Sequence, residues 1–310
     1  TKLDSTLPNK NFIKIKDRPL FMHVLRALLK VRIVGKIYIV GPKSEIENEL
    51  SKLSPDELPA NTVFPVQESR NVVNNVLNAF WESVGGIRIH GNDVGTEIIE
   101  KPLLVVGGDS PLITPAEVEQ FLTRCDTANY DYFMGMTSHS DMKYYYPKPG
   151  RTGIHFAYAH FSEDLLRINN LHLVKPMKVK NRQEFLAMYR VRHLLELVDV
   201  VKCGWALATR YVKPGDWIDW IKMILAMFLR QAGIPFIADF LRRNIPMKRG
   251  EKVADRLLGT RSKIVITTFG GAALDVDKRS SLVAIRQNFD DWMEHLTRIA
   301  EKEKAGSASF

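Results

Sequence analysis

Apolar positions along the first 136 residues switch repeatedly between a helical and a strand period. In residues 19–30, PLFMHVLRALLK, Leu20, Val24, Ala27 and Leu28 recur at helical spacing, and Pro19 suits a first turn. Residues 36–40, KIYIV, form a short β-rich run closed by Gly41-Pro42, which predicts a strand and a turn. Ser44 with Glu47 three residues on has the form of a capping box, opening a helix to about Leu53. A short strand is predicted over 63–66. A helix follows over 70–84, with Val73, Val76, Leu77 and Phe80 on one face. Residues 85–100 are Gly-rich and polar and read as a loop. Residues 102–106, Pro-Leu-Leu-Val-Val, are an unbroken run typical of a strand buried on both faces. Thr114-Pro115 with Glu117 opens a helix to about Arg124, and 131–136 is a further strand.

This alternation predicts an α/β fold, with a Rossmann-like, mostly parallel sheet flanked by helices. From Tyr144 the rhythm breaks. Residues 144–147 and 172–180 are strand or loop material, and 183 to about 241 reads as mainly helical. A strand returns at 264–268, followed by Gly270-Gly271 and a last helix over 280–300. The expected organisation is a core of 1–143 and 262–300, an acceptor-binding region with a mainly helical insertion over 144–261, and a tail over 301–310.

Composition narrows the class. With 310 residues and 45% hydrophobic positions, the chain can bury a core without staples. Its two cysteines, Cys125 and Cys203, form no C-x-x-C pair, which argues against a disulfide framework or a zinc site and for a cytoplasmic setting. The net charge of +9 favours anionic partners, and it reads equally as a solubilising surface. The basic residues form no long block, so nucleic acid is not the expected partner. The most apolar stretch, Ile221 to Leu229, is interrupted by Lys222 and falls short of the roughly 20 residues of a membrane span. No signal-peptide pattern is visible. The chain begins at Thr1 rather than Met, so residues upstream of it are expected.

Three segments carry candidate chemistry. Gly107-Gly108-Asp109-Ser110-Pro111-Leu112 follows the buried strand, where ligands bind in open α/β sheets. A carboxylate there suits a hard cation such as Mg2+, and the glycines allow close backbone approach. Asp109 reads equally as a turn cap. Residues 9–20, NKNFIKIKDRPL, cluster basic groups before a helix: point charges for phosphates, or a solvated strand edge. In Gly270-Gly271-Ala272-Ala273-Leu274-Asp275-Val276-Asp277, two carboxylates at i and i+2 share a direction on a strand, or Asp277 caps the next helix.

In this order, K-x-F-I-K-I-K-D-R-P-L-x-x-H-V-L, L-L-V-V-G-G-D-S-P-L-I-T and G-G-A-A-L-D-V-D, the motifs resemble the GT-A-type nucleotidyltransferases. That superfamily includes the sugar-phosphate nucleotidylyltransferases and the molybdenum-cofactor guanylyltransferase-like enzymes. The resemblance spans about residues 5–136 and 262–290. It implies the nucleotide-diphospho-sugar transferase type of fold and transfer of NMP from an NTP to a phosphorylated acceptor, a sugar or polyol phosphate, with release of pyrophosphate. By resemblance Lys10 contacts the NTP phosphates, and Asp17-Arg18-Pro19 stands for the family's G-K-P. Asp109 and Asp275, with Asp277 as the fallback, hold Mg2+. Gln67, Arg70, Asn75 and Gly108 support the nucleotide. The family's Gly-rich loop would lie just before Thr1, and Lys278-Arg279 replaces its usual acidic residue.

Residues 167–182 are dense in donors, and Arg167, Asn169, Asn170 and Lys175 are the candidates for an acceptor's phosphate and hydroxyls. His155, His160 and His172 show no metal spacing and read as structural. Trp217, Trp220, Met223, Ile224, Met227 and Phe228 form an apolar stripe, core or partner surface. With Arg230, Arg242 and Arg243 nearby, peripheral membrane contact is the further reading. Two alternatives stand beside the nucleotidyltransferase: a GT-A glycosyltransferase using a nucleotide sugar, and a non-catalytic nucleotide-binding module.

Overall fold

The computed structural model of the chain describes residues 7, 9–86, 95–182, 218, 221, 222, 225, 226, 228, 229, 232–242 and 245–307. The predicted helical stretch over 183–241 therefore falls mostly outside the described residues, as do Trp217, Trp220, Met223, Ile224 and Met227 of the apolar stripe.

The charged segment near the start is a hairpin. Lys14–Ile15 (β1) pairs antiparallel with Arg18–Pro19 (β2). Lys16 and Asp17 turn it with φ of 49° and 62°, the positive values a two-residue hairpin turn demands. The turn sends Ile15 inward, where it is buried, and leaves the lysines on either side of it in water. It delivers the chain into Leu20–Leu28 (α1), which buries Leu20, Phe21, Met22, Val24, Leu25, Ala27 and Leu28.

Ile37–Gly41 (β3) and Val63–Gln67 (β4) pair in parallel, with Lys43–Leu50 (α2) and Val72–Ser83 (α3) completing the layer. The Ser44 capping box does not form: α2 begins a residue earlier, and the Gln67 Oε1 accepts from the Lys43 N–H at 3.2 Å. Asn71 caps α3 by accepting from the Asn74 N–H. Part of the predicted loop is helical, Thr96–Glu100 (α4), and residues 87–94 lie outside the described set.

Leu103–Val106 (β5), Pro115–Thr123 (α5), Tyr132–Ser138 (β6) and His139–Met142 (α6) follow. Ala159–His160 (β7) and Leu165–Val174 (β8) complete the middle of the chain. Pro235–Arg242 (α7), Met247–Leu258 (α8), Ser262–Thr267 (β9) and Arg279–Ser307 (α9) close it. The larger sheet has the order β5-β8-β6-β9, with β7 on β8. It is mixed rather than mostly parallel. β6 and β9 are parallel, but β8 runs antiparallel to both β5 and β6. The chain leaving β6 turns back through α6 and returns between its neighbours in the opposite direction. α9 packs Ile285, Trp292 and Leu296 against Leu274 and Val276, and it continues past 300 to Ser307.

β5 is half-buried, not enclosed on both faces. Among the described residues, one edge of β5 and one edge of β3 carry no strand partner. Between them lies a cavity of about 660 Å3, floored by Val24, Leu25 and Leu28 of α1.

β6 and β8 shift register at Gly135, between Met134 and Met136. Asn169 occupies the space there: a Cβ on Gly135 would stand 2.1 Å from its Oδ1 and 2.9 Å from the Leu171 carbonyl oxygen. Gly135→Ala is therefore expected to destabilise the chain by about 1–3 kcal/mol through overpacking, measured as a lowered Tm or denaturation midpoint. A variant as stable as the wild type would remove Asn169 as the filler of that bulge.

Candidate functional site

Two turns and a short helix meet beyond the end of β5. The short helix, Lys10–Phe12, is capped by the Asn9 side chain and anchored by Phe12, whose ring packs 5.3 Å from that of Phe21. That anchoring holds Lys10 at the sheet end. The first turn carries Asp109 directly after β5. The second follows β9, where Gly270 takes φ 87°, Gly271–Ala273 coils briefly, and buried Leu274 and Val276 flank Asp275. The Val276 N–H donates to the Asp109 carbonyl at 3.0 Å, so the two turns are joined backbone to backbone.

Asp109, Asp275 and Asp277 each direct a carboxylate oxygen to one place, and these atoms lie within 4.8 Å of one another. Lys10 bridges two of them, with Nζ 2.6 Å from Asp109 and 2.5 Å from Asp277. Burial opposes the charge of Lys10, but the two carboxylates more than offset it and hold its pKa at about 12. The Asp275 side chain is only 5% exposed. Burial first, and then the hydrogen bond with Asp277, push its carboxyl up to about 6, while Arg167 pulls it back. At the start of α9, Ser281 accepts from the Lys278 N–H and donates to the Lys278 carbonyl.

The donor-rich strand β8 divides. The Arg167 Nη2 donates to Asp275 at 2.7 Å and its Nε to the Ala273 carbonyl at 3.0 Å, over the face of Phe156. Asn170 donates from Nδ2 to the Ser110 hydroxyl at 2.8 Å and to the Ala272 carbonyl at 3.1 Å. Both residues thus belong to the framework of the carboxylates. Asn169 is fully buried and its amide donates to Thr137 and Thr267, which removes it from any acceptor surface. Lys175 lies beyond the far end of β8 and donates to Glu100 and the Thr127 carbonyl.

The residues expected to support a nucleotide lie on the β3–β4 side. Asn75 lines the cavity together with Asn11 and Gly108, and its Oδ1 accepts from the Ser69 N–H at 2.6 Å. Gln67 is engaged with α2, and Arg70 is exposed in the loop after β4. Asn11 was not among the expected site residues. Its Oδ1 is buried without a hydrogen-bond partner among the described residues, a feature no sequence pattern marks. A side chain at 108 would touch the Asn11 amide at 3.3 Å, so the glycine permits this close approach.

No family model and no curated protein matches the chain. Solved structures do. A hypothetical transferase from Thermus thermophilus is similar over 88% of this chain and 90% of its own, with a TM-score of 0.55 and 19% identity. At that identity the likeness is one of fold alone. Looser likenesses are CMP:2-keto-3-deoxy-manno-octonic acid synthetase complexed with CTP and 4-diphosphocytidyl-2C-methyl-D-erythritol synthase from Anaerococcus prevotii. The first has a TM-score of 0.44, 14% identity and coverage of 94% and 95% of the two chains. The second has a TM-score of 0.46, 8% identity and coverage of 91% and 91%.

Removing Arg167 tests the electrostatics of this site. Arg167→Met leaves Asp275 buried without its guanidinium, which is expected to lower stability at pH 8 by about 3 kcal/mol. A carboxyl whose folded pKa stands above its unfolded value binds protons more tightly when folded, so stability is regained as pH falls. Without Arg167 the Asp275 carboxyl protonates at a higher pH than its wild-type value of about 6, so denaturation at pH 8 and pH 5 should show the deficit shrinking as pH falls toward about 6. A deficit that is equal at both pH values would refute the role given to Arg167.

Proposed function

We propose that this chain is a nucleotidyltransferase, transferring NMP from an NTP to a phosphorylated acceptor. The observation that carries the reading is the meeting of Asp109, Asp275 and Asp277 around the Lys10 ammonium at the end of β5. An acceptor phosphate oxygen attacks the α-phosphorus, the bond from that phosphorus to the bridging oxygen breaks, and pyrophosphate leaves with the electron pair. Such transfers depend on positioning and on stabilising charge more than on covalent work by the protein.

The donor set fits a hard divalent cation: three carboxylates, no sulfur or imidazole among them. Asp109, Asp275 and Asp277 would hold Mg2+, which when bound supplies positive charge beside the phosphates. Lys10 is a fixed cation rather than a proton donor, because a pKa near 12 keeps it charged at neutral pH. Its role is to meet phosphate oxygens with an ammonium already at the site. Arg167 keeps Asp275 ionised and aimed. Asn11, Asn75 and Gly108 line the neighbouring cavity and are among the groups available there to a nucleoside, with Lys36, Tyr38, Ser83 and Lys101. A sugar or polyol phosphate is the acceptor class that the sequence resemblance favours.

Two readings with the same carboxylates are separated by product. Pyrophosphate from an NTP supports the proposal. A nucleoside diphosphate from a nucleotide sugar would point to a glycosyltransferase, and NTP binding without turnover to a non-catalytic module. Asp109→Ala is expected to lower pyrophosphate release at least ~100-fold, the scale of losing one electrostatic stabiliser. Four NTPs screened against phosphorylated acceptors provide the assay. A near-normal rate in the folded variant would end the assignment of Asp109.

A further inference from the structure

Glu117 is fully buried, and the proposed chemistry does not use it. In sequence it completes a capping box with Thr114, and half of that box exists: Thr114 accepts from the Glu117 N–H at 3.2 Å. The carboxylate, however, turns to the second carboxylate-bearing turn. Its Oε2 accepts from the Ala272 N–H at 2.8 Å and its Oε1 from the Thr267 hydroxyl at 3.3 Å. Burial pushes its carboxyl up to about 7, while the N–H groups of Ala272, Gly270 and Gly271 and the Thr267 hydroxyl pull it back. Consecutive backbone amides curled around an acidic group form a nest. Here the group held is the protein's own side chain.

The turn is built to fit it. Gly270 supplies the left-handed φ of 87°. A Cβ on Gly271 would lie 2.2 Å from the Leu112 carbonyl oxygen and 2.9 Å from Glu117 Oε2. Ala272 is then held from both sides, its N–H by Glu117 and its carbonyl by Asn170. The same Asn170 amide reaches Ser110, the neighbour of Asp109. Behind this lies a polar chain of Thr267, Thr137 and Asn169, all fully buried.

We infer that Glu117 and Asn170 are positioning residues that clamp the Gly270–Asp277 turn to the Asp109 turn and so set the carboxylate spacing a divalent cation requires. The inference rests on the metal-dependent reading above. Partners that orient ligating carboxylates typically contribute about 10–100-fold in metal affinity.

The test is Mn2+ binding to the whole chain without nucleotide, followed by loss of the free-ion electron paramagnetic resonance signal. Wild type is expected to bind and Asp109→Ala to lose binding. Asn170→Ala and Glu117→Gln are each expected to bind at least ~10-fold more weakly while keeping native near-ultraviolet dichroism. Ile46→Ala, a core truncation in α2 outside the clamp, is the control for destabilisation alone and should bind as wild type does. If Glu117→Gln does not fold, Asn170→Ala, at a half-buried position, decides the matter. Wild-type affinity in Asn170→Ala, or an equal loss in Ile46→Ala, overturns the clamp and leaves the function standing. A wild type with no Mn2+ affinity sensitive to Asp109 overturns the metal-dependent reading and the clamp together.

Discussion

Carboxylates repel, and the site depends on whatever forces them together. Two unit charges 4.8 Å apart oppose each other by about 3 kcal/mol at an effective dielectric near 20. Asp109, Asp275 and Asp277 form three such pairs. Two cations answer them from different parts of the chain, Lys10 from the start and Arg167 from the middle of the sheet. The backbone bond from Val276 to Asp109 adds a constraint that does not depend on charge. The rest of the architecture can be read as what brings these five side chains to one rim. The Phe12–Phe21 contact sets Lys10 at the head of α1, β5 leads into the turn of Asp109, β8 carries Arg167, and β9 leads into the turn of Asp275 and Asp277.

Elements with a long, uniform signal were legible in the sequence. α1 and α5 follow their apolar periods, and Thr114 caps α5 as its pattern implies. The carboxylates were legible only jointly: each of Asp109 and Asp277 alone reads equally as a cap or turn residue, and it was the order of motifs that singled them out. The direction of β8 was not legible, because nothing local in Leu165–Val174 states which way the chain returns from α6. The mixed sheet follows from that return.

The donor-rich segment shows a different limit. Composition marks residues 167–175 as one patch, but a strand sends successive side chains to opposite faces. Asn169 goes into the bulge over Gly135, Asn170 to the turns, and Lys175 lies past the strand's end against Glu100. A run of polar residues on a strand cannot all serve one ligand. Glu117 was misleading for a related reason. Thr-Pro-x-Glu is the same string whether the carboxylate returns to its own helix or enters a neighbouring turn, and only the Gly270–Gly271 geometry on the other side decides.

Lys10 explains how so acidic a site can stand ready without collapsing or splaying. An ammonium between two carboxylates offsets their charge, and a lysine exchanges one anionic partner for another without giving up its proton. Arginine would hold the carboxylates in a planar fork and resist that exchange. Arg167 occupies the complementary position, where its Nη2 meets Asp275, its Nε meets the Ala273 carbonyl and its plane lies over Phe156. Arg167 is thus held by a carboxylate, a carbonyl and a ring, whereas Lys10 is held, among the described residues, by carboxylates alone. The division matches the burial: the Asp275 side chain is enclosed, whereas those of Asp109 and Asp277 are more exposed.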